Sequence, residues 1–299
     1  MKLEAPSLKP RRVADDFAVP QYTQFSLRPI SPSIGAEISG IDLSCAPTRD
    51  QLVELELALL EWKVLVFPSQ PMTEPEFLAF GRLWGTVMIP AMTKLREIPE
   101  IMQLEKGPDQ RGEENIWHSD QPWQVRPPAI TILRALHIPP VGGDTLFADM
   151  AAAFDDLPAD VKERVKGLEA ENIHPVLWGS HDYGPAHSLT AEEIEQRRKL
   201  YPPQPHPVAR THPLTGRQSI YVDINHTARI NDVDPEVSEE LMDVLVRRAT
   251  IPEYQCRVRW AEDTIVMWDN RTVQHYACSD YWPEVRIMQR MIIEGDLVS

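Results

Sequence analysis

The chain is poor in cysteine and has no long apolar run. Its three cysteines, Cys45, Cys256 and Cys278, lie far apart and form no CxxC pair, which argues against a disulfide framework and for a reducing compartment. No stretch reaches the roughly 18 consecutive apolar residues of a membrane-spanning helix. Residues 1–20 carry charges and prolines without an apolar segment, unlike a secretion signal. The sequence therefore predicts a cytoplasmic protein with no membrane partner.

Basic residues are few compared with acidic ones. The 299 residues include 30 lysines and arginines against 45 aspartates and glutamates, which gives a net charge of −15 at pH 7. Because nucleic-acid-binding surfaces are usually basic, no nucleic-acid partner is expected. A small anionic substrate remains compatible with this charge, since a single pocket can hold a few arginines.

The chain shows no internal repeat and no clear domain boundary. Residues 1–24 are predicted to form a flexible tail, and residues 25–299 a single domain. Residues 202–213, with five prolines, are expected to be an extended loop. Because strand patterns dominate the C-terminal third, the predicted fold is mainly β with flanking helices, arranged as an antiparallel double sheet of jelly-roll type.

Local patterns predict the individual elements of this fold. The first two helices open with a threonine capping box, and the predicted helices cover 48–62, 73–84, 151–168 and 235–249. Runs of β-branched or alternating residues predict strands at 64–67, 130–138, 145–147, 219–224, 255–260, 264–268 and 285–293.

The segment 117–120, Trp-His-Ser-Asp, contains the one His-x-Asp tripeptide of the chain. In a strand, residues i and i+2 point to the same face, so His118 and Asp120 can address one metal ion. The motif alone is weak, because an exposed polar pair at a strand edge is an equally good interpretation. A metal site needs a third ligand, and His275 is the best candidate, although a lone histidine is more often a packed core residue. Two imidazoles and one carboxylate leave coordination positions open, as iron(II) oxygenases require.

Two arginines follow the candidate third ligand. Arg286 and Arg290 lie in a predicted strand, where the period of two places them on one face. Two guanidinium groups buried beside a metal are costly unless anions pair with them. A dicarboxylate cosubstrate and an anionic substrate are suitable partners, because guanidinium binds carboxylates bidentately. The alternative is that this face is solvated or paired with carboxylates of the protein.

Four motifs occur in order along the chain: WHSD at 117–120, GGDT at 142–145, WDNR at 268–271, and the stretch 275–290. Together they resemble the TauD/TfdA family of Fe(II)/2-oxoglutarate-dependent dioxygenases, in particular the taurine dioxygenase-like members, over about residues 25–295. The resemblance implies a double-stranded β-helix core, also called jelly-roll or cupin-like. It also implies iron(II) bound by His118, Asp120 and His275, with 2-oxoglutarate as cosubstrate and O2 as oxidant.

The resemblance further assigns the groups around the metal. It implies that Thr145 and Arg286 hold the distal carboxylate of 2-oxoglutarate, and that Arg290 meets the anionic end of the substrate. His226 stands where taurine enzymes have an aromatic pocket residue, and it is expected to contact the substrate. Glu114 and the stretch after the second predicted helix also depart from the taurine pattern.

The expected reaction is hydroxylation of a small anionic substrate, coupled to decarboxylation of 2-oxoglutarate to succinate. The candidate substrates are a sulfonate, an alkyl sulfate, an aryloxyalkanoate or a carboxylate, and the expected assembly is a homo-oligomer, dimer or tetramer. Two alternatives remain open. A zinc hydrolase uses the same donor set to activate water, and a non-catalytic binding protein keeps the jelly roll without the chemistry.

Overall fold

The computed structural model describes residues 8–89, 96–178 and 190–298. Within these residues the chain forms the strands and α-helices given below, each numbered in chain order. Two short 3-10 helices, Arg247–Thr250 and Pro252–Tyr254, follow the last α-helix. The strands are β1 (Ser26–Pro29), β2 (Ala36–Ser39), β3 (Val64–Phe67), β4 (Met102–Lys106), β5 (Ile130–His137), β6 (Thr145–Asp149), β7 (Glu169–Asn172), β8 (Gln204–Pro207), β9 (Ala209–Thr211), β10 (Gln218–Ile220), β11 (Thr227–Ile230), β12 (Gln255–Val258), β13 (Ile265–Asp269), β14 (Val273–Ala277) and β15 (Arg286–Ile293). The helices are α1 (Arg49–Trp62), α2 (Glu74–Arg82), α3 (Met150–Asp155), α4 (Ala159–Val165), α5 (Pro175–Trp178), α6 (Ala191–Leu200) and α7 (Pro235–Val246).

Two of the sheets form the layers that enclose the core. The larger sheet has seven strands in the order β1-β2-β3-β13-β5-β15-β4, and the smaller one has the order β12-β6-β14. All pairings are antiparallel except the one between β2 and β3. Side chains from both sheets share one apolar cluster, in which Phe147 of the small sheet packs on Trp268 of the large one at 5.3 Å between ring centroids. The predicted jelly-roll fold with flanking helices is confirmed.

Alternation along the strands divides the buried residues between two cores. In β13, Val266 and Trp268 point towards the small sheet, whereas Ile265 and Met267 point to the opposite side. On that opposite side α1 and α2 cover the large sheet, and Phe77 of α2 is fully buried there. The period-two pattern therefore makes this strand apolar on both faces, which is typical of a strand covered on both sides.

The capping boxes predicted for the first two helices are present. The Thr48 side chain accepts a hydrogen bond from the backbone of Gln51, and the Thr73 side chain accepts one from Glu76. Each pair satisfies amide groups that the first turn of a helix leaves without a partner.

Two element predictions are wrong. The helix predicted at 151–168 is interrupted between α3 and α4, because Pro158 has no amide hydrogen to continue the ladder and becomes the N-cap of α4. The loop predicted at 202–213 contains β8 and β9. Strand β8 pairs only with β7 at the edge of the sheet β11-β7-β8, which is the position where prolines are tolerated.

Residues 8–24 form neither helix nor strand, but they contact the folded body. The Arg12 Nε atom lies 2.8 Å from a carboxylate oxygen of Glu61, and the Arg217 guanidinium donates to the backbone carbonyls of Arg11 and Arg12. The division into a flexible tail and one domain stays a prediction. Among the described helices, none is both long and apolar enough to span a membrane.

Candidate active site

The structure brings His118, Asp120 and His275 together. One possible donor atom from each residue lies within 4.8 Å of the others, and this is the one such group of three found among the described residues. The backbones of the two histidines pair in an isolated bridge, with hydrogen bonds of 3.1 and 2.8 Å between their amide and carbonyl groups. His275 belongs to β14, but His118 and Asp120 lie outside any strand. The prediction that they share a strand face is wrong, because the bridge to β14 positions them instead.

Hydrogen bonds define which atoms of these side chains face the site. Nδ1 of His118 lies 2.8 Å from the carbonyl oxygen of Ile116, so it carries the proton and leaves Nε2 with a free lone pair. Nδ1 of His275 is buried without a hydrogen-bond partner among the described residues. Asp120 accepts a hydrogen bond of 2.6 Å at Oδ2 from the Thr131 hydroxyl, and Arg290 lies 3.1 Å from its Oδ1.

The protonation states of the three groups suit a divalent metal. Burial and the neighbouring His118 lower the pKa of His275 to about 3, and burial also lowers the pKa of His118. Burial alone raises the pKa of Asp120, but Arg290 and the two imidazoles outweigh it and bring this pKa to about 2. Both imidazoles are therefore neutral and the carboxylate is ionised at neutral pH, as metal ligation requires. Two nitrogens and one oxygen on one side form the donor set of a facial triad.

A small cavity of about 70 Å³ opens beside His275 and contains both residues expected to hold the cosubstrate, Thr145 and Arg286. Arg286 is 8% exposed, and its Nε and Nη2 atoms are buried without a hydrogen-bond partner among the described residues. Its guanidinium lies 5.7 Å from the ring centroid of Trp260 and 6.0 Å from that of Tyr281. Burial lowers the pKa of Arg286. Arg286 is thus a buried cation with two nitrogens that lack hydrogen-bond acceptors among the described residues.

Thr145 is oriented as a donor towards the same cavity. The indole Nε1 of Trp260 donates a hydrogen bond of 3.0 Å to the Thr145 Oγ1 atom. Because an indole nitrogen only donates, the threonine oxygen must accept here, and its own hydrogen remains available. Thr145 and Arg286 therefore present donors to one carboxylate-sized space.

A larger cavity of about 250 Å³ lies on the other side of the triad. Arg290 and His118 line both cavities, so the two spaces meet at the candidate metal ligands. Among the described residues that line the larger cavity, Arg290 is the one lysine or arginine and Asp120 the one carboxylate. Apolar residues, Met88, Ile89, Met102, Trp123, Pro175 and Ile292, form much of the wall, and the uncharged polar residues Gln121, Gln124 and Asn225 form part of the rest. This space suits an anion with an apolar body.

His226 lines the larger cavity, as expected from the sequence. Its ring lies 5.8 Å from that of His118 in an edge-on arrangement, and its Nδ1 lies 3.2 Å from Oδ2 of Asp223. The same carboxylate oxygen accepts a hydrogen bond from the backbone amide of Ser119. Sequence reasoning missed Asp223, which links the loop of His226 to the His-x-Asp segment. The spacing Asp-x-x-His is its one local signal.

The chain matches the family described as taurine catabolism dioxygenase TauD, TfdA family over residues 26–292. It is 34% identical to an alkylsulfatase from Acinetobacter baylyi, and the aligned region covers 92% of this chain and 87% of that protein. It is 30% identical to an alpha-ketoglutarate-dependent sulfate ester dioxygenase from Pseudomonas putida, over 93% of this chain and 92% of that one. The crystal structure of a taurine dioxygenase from Burkholderia xenovorans superposes with a TM-score of 0.78 at 28% identity, covering 92% of each chain. The chain therefore belongs to the TauD/TfdA family of dioxygenases, a class of oxidoreductases.

Proposed function

We propose that the protein is an Fe(II)/2-oxoglutarate-dependent dioxygenase that hydroxylates a small anionic substrate with an apolar body, with alkyl sulfate esters as the first candidates. One observation carries the proposal. Two cavities meet at the triad His118, Asp120 and His275, and each contains an arginine near the triad. Such an arrangement holds two different anions against one metal.

The donor set supports iron(II) as the metal. Three protein ligands on one side leave positions for a chelating cosubstrate and dioxygen, which the tetrahedral site of a structural zinc does not. His118, Asp120 and His275 would hold the ion, and the ion would supply activation of dioxygen, which the side chains alone do not provide.

The buried donors of the small cavity support 2-oxoglutarate as the cosubstrate. A dicarboxylate can chelate the metal with its keto-acid end while its distal carboxylate reaches Arg286 and Thr145. That carboxylate supplies the acceptors that Nε and Nη2 of Arg286 lack. A zinc hydrolase makes no use of a second anion site next to its metal.

The larger cavity supports a monoanion with an apolar chain. Its described lining offers one cation, Arg290, and no carboxylate other than Asp120. An alkyl sulfate matches this pattern, whereas among the described lining residues the ammonium group of taurine finds no second carboxylate. The relatives named for alkyl sulfate and sulfate ester chemistry, at 34% and 30% identity, support the same class. His226 is proposed to contact the same end of the substrate.

The chain's residues position the reactants and keep water away. Arg290 fixes the anionic end so that the adjacent C–H bond faces the metal side of the cavity, and the apolar walls exclude water from the reacting carbon. 2-Oxoglutarate and O2 yield succinate and CO2, one oxygen atom entering succinate and the other the substrate's C–H bond. When that carbon also carries a sulfate ester, the hydroxylated product separates into an aldehyde and hydrogensulfate.

A substrate screen tests this proposal. Iron-reconstituted protein with 2-oxoglutarate is supplied with an alkyl sulfate series, the matching sulfonates, taurine, an aryloxyacetate and a fatty acid. Succinate and sulfate are measured with and without O2. We expect oxygen-dependent succinate, formed in proportion to sulfate, to be greatest with alkyl sulfates and small with taurine. Sulfate release without O2 would identify a hydrolase, and absence of succinate with every compound would contradict the dioxygenase. The cytoplasmic location and the homo-oligomeric assembly stay predictions.

A further inference from the structure

The turn between β13 and β14 reaches one of the candidate metal ligands through a chain of buried hydrogen bonds. The Trp268 indole Nε1 donates to Oδ1 of Asn270 at 2.9 Å. The Asn270 Nδ2 atom donates to Oγ1 of Thr131 at 2.6 Å, and the Thr131 hydroxyl donates to Oδ2 of Asp120 at 2.6 Å. These four residues are at most 3% exposed, so water does not compete for the bonds.

The indole N–H of Trp268 fixes the donor-to-acceptor direction of these hydrogen bonds. An indole N–H can only donate, so the oxygen of the Asn270 amide must face Trp268 and its NH2 group must face Thr131. The Thr131 oxygen then accepts from Asn270, and its single hydrogen points at Asp120. Oδ2 of Asp120 must therefore accept this hydrogen bond, so it carries no proton itself. The other oxygen, Oδ1, lies 3.1 Å from Arg290.

The turn at the Asn270 end of this hydrogen-bond series is held in place by other contacts. The Asp269 carboxylate accepts from Arg271 Nε at 2.8 Å and Nη2 at 2.7 Å, and lies 2.9 Å from His212 Nε2. The backbone amide of Asn270 donates to the carbonyl of Ala129, the residue before β5. The turn that carries Asn270 is thus anchored by ionic and backbone bonds that do not involve the triad.

Strand β13, which precedes this turn, also touches a second triad member. The Trp268 ring lies 4.9 Å from the ring of His275 at an angle of 55°. One buried tryptophan therefore supports His275 by packing and Asp120 through two intervening side chains.

We propose that Thr131 and Asn270 are positioning residues for the candidate metal carboxylate: the hydrogen bonds from Asn270 to Thr131 and from Thr131 to Oδ2 fix the orientation of the Asp120 side chain beside the two histidines. This inference rests on the proposed function, because it presupposes that Asp120 is a ligand. Groups hydrogen-bonded to metal ligands commonly contribute about 10–100-fold to metal affinity. Neither residue lines the cavities described above, so both act through Asp120.

The test compares hydroxyl deletions at two buried threonines. Thr131→Val keeps the side-chain shape and removes the donor to Asp120, whereas Thr131→Ser keeps the hydroxyl. Thr272→Val is the matched control, since Thr272 is 5% exposed and its Oγ1 is buried without a hydrogen-bond partner among the described residues. Asn270→Asp preserves shape but cannot donate to Thr131, so it tests the direction of the chain.

The primary readout is cobalt(II) binding to metal-free protein by calorimetry and visible absorption, with no cosubstrate present. Urea denaturation of the metal-free variants measures stability separately. We expect the cobalt dissociation constant to rise about 10–100-fold for Thr131→Val and for Asn270→Asp. Thr131→Ser and Thr272→Val are expected to stay within about threefold of the wild-type protein, well below the effect of removing a group bonded to a ligand.

Two outcomes would overturn the inference. In the first, Thr131→Val binds cobalt as tightly as the wild-type protein. In the second, Thr272→Val loses as much affinity as Thr131→Val, which would show a general effect of threonine removal. Failure of the proposed function gives different results: a protein without a metal site binds no cobalt even as wild type, and a hydrolase binds cobalt but forms no oxygen-dependent succinate.

Discussion

Replacing Arg286 with methionine is expected to weaken 2-oxoglutarate binding and to stabilise the metal-free protein. The arginine is 8% exposed, and two of its nitrogens have no hydrogen-bond partner among the described residues. Without a bound anion, the fold carries the desolvation cost of this cation, whereas a dicarboxylate supplies the missing acceptors. Arg286 is thus expected to destabilise the metal-free fold and to strengthen the binding of the cosubstrate.

The expected size of both effects follows from the contacts of Arg286. A hydrogen bond to a charged group contributes about 1.5–3 kcal/mol, and loss of one such bond is expected to cost the same amount of binding free energy. The dissociation constant of 2-oxoglutarate then rises about 10- to 150-fold. Removal of unsatisfied buried donors is expected to raise the free energy of unfolding by about 1–3 kcal/mol.

Arg217 offers a matched control. It is also 8% exposed, but its guanidinium donates to the Asp155 carboxylate and to two backbone carbonyls. Methionine at this position is expected to lower the free energy of unfolding by about 3 kcal/mol, because it removes the ion pair with Asp155 and the donors to two backbone carbonyls, and to leave 2-oxoglutarate affinity unchanged.

The assay combines urea denaturation of metal-free protein with calorimetric titration of 2-oxoglutarate into manganese-loaded protein. The reasoning fails if Arg286→Met loses stability as Arg217→Met does. It also fails if Arg286→Met retains wild-type affinity for 2-oxoglutarate.

Two further predictions concern the substrate end and the pH dependence of the fold. Arg290→Met is expected to raise the KM for an alkyl sulfate at least tenfold, as expected for loss of one charge-assisted hydrogen bond, while the KM for 2-oxoglutarate changes little. Steady-state kinetics with each reactant varied in turn would check this, and equal changes in both KM values would contradict it. For the pH dependence, the pKa of His275 is lowered to about 3 by burial and by His118, so between pH 6.5 and 3 the unfolded chain binds a proton that the folded chain does not. The free energy of unfolding of the metal-free protein is therefore expected to fall on acidification through this window, by at most about 1.4 kcal/mol per pH unit from this group. Urea midpoints between pH 6.5 and 4 should fall less steeply for His275→Leu than for the wild-type protein, and an equal slope would contradict the assignment.

Local sequence patterns predicted much of the fold and the principal candidates of the site. The capping boxes at Thr48 and Thr73 and the β-branched runs of the central strands identify their elements, because the cause of each element lies within a few residues. The period of two also placed Arg286 and Arg290 correctly, since both line the small cavity beside His275. The His-x-Asp pair was found for a reason that does not hold, because it lies in a bridged segment and not in a strand.

The supporting groups of the site depend on contacts between distant parts of the chain. Thr131 lies in a run rich in β-branched residues, so the local sequence predicts a strand there and nothing about the role of its hydroxyl. Its hydrogen bond to Asp120 is made with a segment outside any strand, and its hydrogen bond from Asn270 depends on the register of β5 beside β13. Asp223 likewise reaches Ser119 across more than a hundred residues. A single sequence carries no local signal for such pairs.

The most direct test of the proposed dioxygenase is an anaerobic titration of metal-free protein with iron(II) and then 2-oxoglutarate, followed by admission of air with octyl sulfate present. We expect binding of iron at one equivalent per chain and a visible charge-transfer band on addition of 2-oxoglutarate. After admission of air, we expect formation of succinate that depends on the sulfate ester. Asp120→Ala should abolish all three signals. Failure of the wild-type protein to bind iron, or absence of the band together with absence of succinate under air, would contradict the dioxygenase.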